Sequence, residues 1–184
     1  MKGIFWGFFF IFLNFNFTIN GHTLNLLPTF VGYILLYRAA GDLKEESSRF
    51  ESLRPFAVGM AIYTGILWVG DLLGATGGGS WLDTILSLAA LVISLYISWG
   101  VVQAILEMES ARGADLNGAS VRTAWFVLLV AQIAGTLGAM LWGILALLAL
   151  AALLVGVIWF LAALWKSAKC YDLLPPKDAG LEGL

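Results

Sequence analysis

The sequence predicts an all-α membrane protein, a polytopic transmembrane helical bundle of about six helices with both termini on the cytoplasmic side. Three observations lead there. Of the 184 residues, 60% are hydrophobic and only 12% are charged. That is half the ~25% charged content of a soluble domain, too little polar surface to coat a water-exposed globule. The mean hydropathy is +0.90. The apolar residues also fall into long runs, and the basic residues sit between every second pair of runs. The length suits one compact transmembrane domain over residues 1–170, with 171–184 as a short cytoplasmic tail.

The first run follows Met1–Lys2. One positive charge before an apolar stretch has the form of a signal peptide, but no small-x-small cleavage site follows and Asn14 and Asn16 interrupt the core. Residues 3–19 are therefore expected to be a retained span of roughly 25 Å. Residues 20–23, Asn-Gly-His-Thr, read as a turn. Pro28 fits the first turn of the next helix, where its missing N–H costs nothing, and Asn25 is placed to cap it. The second span covers 26–40. The reading of 25–43 decides the side on which every later loop lies.

Residues 42–54 form the one strongly charged stretch, with Lys44, Glu45, Glu46, Arg49, Glu51 and Arg54. It reads as a solvated linker or surface helix with mixed-sign pairs, or as a docking strip for a partner. Pro55 opens a third span, 55–73. The glycine-rich stretch 74–80 has neither a preceding strand nor a lysine, so it is a hairpin turn and not a phosphate cradle. Ser80-Trp-Leu-Asp83 has capping-box form and starts the fourth span, 81–106. Residues 107–122 are polar, with Asp115-Leu116-Asn117-Gly118 as a breaker. From 123 to 165 the chain is apolar almost without pause. One helix of that length would measure roughly 65 Å, twice a hydrocarbon core of ~30 Å. The glycines at 138 and 143 bracket the expected turn, giving spans 123–137 and 144–165. Lys166, Lys169 and Pro175-Pro176 end the last helix.

Charge provides an independent check. Lys and Arg concentrate in cytoplasmic loops. Six spans with the N-terminus inside put all 10 basic residues on the inner side: Lys2; Arg38, Lys44, Arg49 and Arg54; Arg112 and Arg122; Lys166, Lys169 and Lys177. One alternative passes the same test, with 3–40 as a re-entrant pair dipping in from the cytoplasm. The backbone near His22 would then need protein partners at membrane depth.

Chemistry-bearing residues are few. Asp71 and Asp83 flank the glycine stretch on the outer side, and His22, the only histidine, lies in another outer turn. The three are candidates for an outer-mouth polar site that binds a cation or relays protons. The plainer reading makes Asp83 a helix cap, Asp71 an interfacial residue and His22 a solvated one. No metal site is expected, because His22 has no second His or Cys beside it, and no catalytic residue or cofactor is expected. Ala131, Gly135, Ala139 and Gly143 recur every four residues, the small-xxx-small pattern of close helix packing, within the chain or in a dimer. Trp6, Trp81, Trp125 and Trp165 read as an interfacial belt. Thr64, Gln103 and Gln132 are uncharged polar residues inside spans. Cys170 is the one cysteine and has no intrachain partner. A net charge of -2 implies no nucleic-acid partner.

The segment Asn25-Leu26-Leu27-Pro28-Thr29-Phe30-Val31-Gly32-Tyr33-Ile34-Leu35, with the Asn-bearing first span before it and the charged linker after it, resembles small uncharacterised multi-pass membrane proteins of Gram-positive bacteria. The resemblance covers about residues 1–60 and implies a location in the bacterial cytoplasmic membrane. It implies no activity. The function expected from the sequence is a non-enzymatic, partner-binding or scaffolding membrane protein, whose partners are the lipid bilayer and a second protein or another copy of the chain. The alternative is a small transporter or channel subunit acting as an oligomer. A membrane-embedded lipid enzyme is the weaker alternative.

Overall fold

The computed structural model describes residues 1–13, 16–19, 22–25, 28–73, 81–141 and 143–175. In chain order these form α1 (Lys2–Phe12), β1 (Asn16–Ile19), β2 (His22–Asn25), α2 (Thr29–Asp42), α3 (Ser48–Leu72), α4 (Trp81–Arg112), α5 (Gly118–Leu141) and α6 (Gly143–Asp172). The chain is a helical bundle, and four of the six helices are long and apolar enough to cross a membrane.

The first leg differs from the single helix 3–19 that the sequence suggests. α1 stops at Phe12, and the chain continues as an antiparallel hairpin. Its register alternates polar and apolar pairs: Asn16 with Asn25, Phe17 with Leu24, Thr18 with Thr23, Ile19 with His22. Phe, Thr and Ile favour strands over helices, and Asn is poor in a helix interior. Asn-Gly stands between the paired Ile19 and His22, the dipeptide preferred in two-residue hairpin connections. Asn25 therefore belongs to β2, and Pro28 itself is the N-cap residue of α2.

α1 and α2 have 11 and 14 residues. As helices they reach about 16 and 21 Å, short of the ~30 Å core. They run antiparallel and touch backbone to backbone. An added Cβ on Gly32 would lie 2.6 Å from the Gly7 carbonyl oxygen, and one on Gly7 would lie 2.6 Å from Leu36 Cγ. Only glycine at both positions permits that approach.

α3 begins seven residues before Pro55, at Ser48, so the proline lies inside the helix instead of opening it. The Ser47 side chain accepts from the Arg49 N–H and caps the helix. Pro55 withholds the N–H that the Glu51 carbonyl would receive. Both residues are exposed, so that carbonyl sits where water can satisfy it. α4 likewise runs past 106 to Arg112 and closes at Gly113, whose φ of +61° is left-handed. α5 starts at Gly118, and α6 continues through Lys166 and Lys169 before stopping ahead of Pro175. α5 ends at Leu141 and α6 begins at Gly143, while residue 142, Ser80 and Lys177 lie outside the described residues.

Lys2 meets Asp172 at 2.8 Å, and Glu46, Arg112 and Tyr171 meet one another. Both described chain ends and both charged connections therefore gather at one end of the bundle. The core sits toward that end too. The buried residues of α4 are confined to 97–108, and those of α3 to 50–60. Phe50, Val102, Ile105, Met108, Leu116 and Phe160 have no exposed surface. Farther along, α4 loses its neighbours, and residues 81–89 are exposed on every side.

Candidate functional site

Two polar constellations stand out. The first clamps the charged end. Arg112 donates from Nε to Glu46 at 3.0 Å and from Nη2 to the other Glu46 oxygen, a two-pronged fork. The Tyr171 hydroxyl donates to Glu46 at 3.3 Å, and Arg112 Nη1 donates to the Pro175 carbonyl at 3.1 Å. The linker after α2, the end of α4 and the end of α6 are thus tied at one point. The two charged side chains are only 16% and 12% exposed, so water screens the pair weakly.

Beside it, the Ser47 hydroxyl donates to Glu107 at 2.6 Å, and Arg49 donates to the same carboxylate. The cap of α3 is thereby held against α4. Glu109 accepts from the Leu116 and Gly118 N–H groups, each at 2.7 Å. It satisfies the first donors of α5 with a negative charge at the positive end of that helix. Asn117 adopts φ +64°, a conformation Asn tolerates, and its side-chain amide reaches the Ala163 carbonyl of α6 at 3.3 Å. Leu43, Ser47, Phe50 and Leu53 of the linker 42–54 are thus turned inward, while Lys44, Glu45 and Glu51 stay exposed.

The second constellation lies inside the bundle. Trp125 Nε1 donates to Ser98 Oγ at 2.9 Å, and Ser98 Oγ donates to the Leu95 carbonyl at 3.0 Å. Both side chains are buried. Tyr33 and Ser94 share a hydrogen bond one turn away. Ser94, Ser98 and Trp125 border a cavity of about 120 Å³, lined also by Phe12, Gln132 and Val157 among others. At ~30 Å³ each, it has room for a few waters. Its described lining offers hydroxyls, an indole and an amide, and no ionisable group. Trp125, expected in an interfacial belt, instead sits in the interior against Trp99, with ring centroids 4.7 Å apart. Ser98 draws it there, because a buried indole N–H needs an acceptor.

The sequence candidates lie elsewhere. Asp71 is exposed at the end of α3, Asp83 is exposed in the first turn of α4, and His22 opens β2, which rests against α3. All three belong to the end opposite the clamp. Thr64, a candidate for a polar cavity, donates to the Met60 carbonyl of its own helix at 2.7 Å. Among the described residues, no three His, Cys, Asp or Glu side chains come together as metal ligands would.

The small-residue series is divided between helices. Ala131, Gly135 and Ala139 belong to α5, whereas Gly143 is the first residue of α6. The four-residue spacing therefore does not continue along one face. A Cβ on Gly135 would meet Ala149 of α6 at 3.5 Å, and one on Gly156 would meet Leu128 of α5 at 3.0 Å. These small residues let α5 and α6 pack on each other.

Sequence reasoning missed Glu46, Arg112, Glu109, Ser98 and Trp125. Ser94 and Ser98 do share a helix face at i, i+4, a usable sign. Nothing local distinguishes Glu46 from Glu45. No family model, no curated protein and no solved structure matches the chain.

Proposed function

We propose that this chain is a non-enzymatic membrane scaffold that holds another membrane protein against the outer third of α4. The observation that carries this reading is the bare stretch 81–89. The apolar run 81–106 measures about 39 Å, against a core of ~30 Å. To fit, α4 alone would have to tilt by about 40°, the limit of what helices do, while α3 beside it carries an apolar run, 55–73, of about 28 Å. Trp81, Leu82 and Ile85 are 71%, 51% and 53% exposed. Where the run outreaches the hydrocarbon core these side chains meet water, and nothing in the described chain covers them. The other two expected docking surfaces are engaged from within: the linker in part by the clamp, through Glu46, Ser47 and Arg49, and the small-residue face by α6.

The positive-inside count makes the clamped end cytoplasmic, and the N-terminal resemblance favours the cytoplasmic membrane of a Gram-positive bacterium. A photo-cross-linker at 82, 85 or 88 is expected to give one discrete protein adduct in native membranes. At 147 or 155, on the exposed face of α6, it gives lipid only. Equal behaviour at the two sets of positions defeats the proposal. An adduct at twice 19.9 kDa identifies the partner as a second copy. A transporter reading draws support from the Ser94–Ser98–Gln132 cavity. That cavity, at about 120 Å³, is smaller than the ~300 Å³ at which ligand sites begin, so scaffolding stands first.

A further inference from the structure

The seam between α2 and α3 carries an apolar groove on its outer surface. Near the clamped end it is walled by Ile34, Tyr37, Val58, Ala61 and Ile62, with a volume of about 280 Å³. Ala61 and Ile62 also line the next hollow along, about 440 Å³, which is closed by Phe30, Gly65 and Trp68. One continuous trough thus follows the seam. Phe30 and Trp68 meet edge to face at 5.7 Å and mark its far end.

Two arginines stand at the near mouth. Arg38 lies one turn beyond Ile34 on α2, and Arg54 one turn before Val58 on α3. Arg54 stacks on the Tyr37 ring at 4.5 Å and donates from Nη2 to the Tyr37 hydroxyl at 2.7 Å. Its Nε is enclosed and meets no acceptor. Asp42 and Glu51 lie within a turn of these residues, yet among the described residues neither comes within ion-pair distance of either guanidinium. Every other buried or bridging charge described at this end has a carboxylate to answer it. Here Arg54 is partly buried and Arg38 exposed at the mouth of an apolar trough, and neither makes an ion pair among the described residues.

We infer that the α2–α3 seam seats an anionic phospholipid from the leaflet at the clamped end, with its phosphate between Arg38 and Arg54 and one acyl chain in the trough. Guanidinium matches phosphate in shape and charge. Basic pockets between transmembrane helices on the cytoplasmic side suit anionic headgroups. The trough is long enough: Arg54 to Trp68 spans about 21 Å along the axis, more than the ~15 Å half-thickness of a hydrocarbon core that one acyl chain fills. A trough with neutral ends would take any lipid tail. The uncompensated arginines select net negative charge.

The test uses the full-length protein with dioleoylphosphatidylglycerol and dioleoylphosphatidylcholine in equal amounts, counting retained lipids by native mass spectrometry. Each arginine near the surface favours the anionic lipid about 5-fold. Wild type is expected to retain phosphatidylglycerol preferentially. Arg38→Gln, which disturbs no stacking, lowers that preference about 5-fold, and adding Arg54→Gln brings the two lipids to parity. Ala61→Trp, which fills the trough, lowers retention of both. Arg122→Gln, exposed on α5, leaves the preference unchanged. Three results overturn the inference. One is equal retention of both lipids by wild type. Another is an equal effect of Arg38→Gln and Arg122→Gln, which reduces the preference to overall surface charge. The third is displacement of phosphatidylglycerol by glycerol phosphate alone, which makes the site one for free phosphate.

Discussion

Replacing Arg112 by Met tests whether the clamp holds the bundle together. The substitution keeps the length of the side chain and removes the fork. Glu46 then loses both prongs of the fork and keeps the Tyr171 hydroxyl, at 3.3 Å. Stripping one partner from a buried ion pair costs about 3–5 kcal/mol. With Glu46 12% exposed, some water reaches the carboxylate, which places the cost near the lower bound, about 3 kcal/mol. For a chain of this size each kcal/mol moves the melting temperature by about 2–4 °C, so the expected drop is about 6–12 °C. Cys170 is the one cysteine and is partly buried. A thiol-reactive dye therefore reports unfolding in detergent without any added label. Adding Glu46→Gln to Arg112→Met removes the stranded charge and is expected to recover at least about 1 kcal/mol. The effect should also persist in high salt, unlike that of the half-exposed Arg49–Glu107 pair, which is worth at most about 1 kcal/mol. A drop under 3 °C for Arg112→Met, or no recovery in the double variant, would show that the fork is incidental.

Three further outcomes follow from the same geometry. Gly32→Ala is expected to abolish the α1–α2 contact, because its Cβ would lie 2.6 Å from a backbone oxygen, whereas nothing lies within 4 Å of a Cβ at Gly59. Gly59→Ala should instead be neutral or raise stability by about 0.5–1 kcal/mol, and equal behaviour of the two in the thermal assay would contradict the packing described. Ser98→Ala should cost about 1 kcal/mol and change the Trp125 emission by leaving its N–H without that acceptor. An unchanged spectrum in a Trp125-only variant, with and without Ser98→Ala, counts against the bond. Glu109→Ala should cost about 0.5–2 kcal/mol as a lost cap, with Glu109→Gln retaining much of it, since an amide oxygen still accepts from the Leu116 and Gly118 N–H groups. If Gln is as harmful as Ala, charge against the helix dipole is the larger part.

Composition and charge spacing were enough to read a helical membrane bundle and six helical segments. Hydrophobic runs are a property of consecutive residues, and they survive in any tertiary context. The hairpin was not read, although its signs were present: Asn20-Gly21 between alternating polar and apolar residues. The surrounding aromatics masked that period-two pattern by looking like one long apolar run. Pro55 misled for a different reason. Proline opens helices so often that Ser47, the true cap, was passed over inside a charged stretch. The clamp was illegible in principle. Glu46 and Arg112 are separated by 66 positions, and their pairing depends on three helices ending at one level. Asp71, Asp83 and His22 stood out only because such residues are scarce in an apolar chain. Scarcity marks a residue as costly to bury, and all three fall at the end opposite the clamp.

The distribution of polar contacts explains why one end of the bundle is closed and the other open. In lipid, apolar side chains gain little by leaving acyl tails for one another, so helix association rests on close packing, hydrogen bonds and charge. The charged end has all three: the Glu46–Arg112 fork, the Ser47–Glu107 cap, the Glu109 collar on α5, and a core without exposed surface. Toward the far end α4 carries large apolar side chains such as Trp81, Leu82, Ile85 and Leu88, and residues 81–89 are all exposed. Such surfaces neither interlock tightly nor hydrogen-bond, and the bilayer does not push them together. The outer third of α4 is therefore free to face another protein while its position is set by the clamp. A continuous helix connects the two, from Glu107, held at Ser47, to Ile85, which is about 33 Å away. On the proposed reading, stability and docking fall to opposite ends of the same helix, so a partner would leave the bare stretch without loosening the contacts that hold the fold.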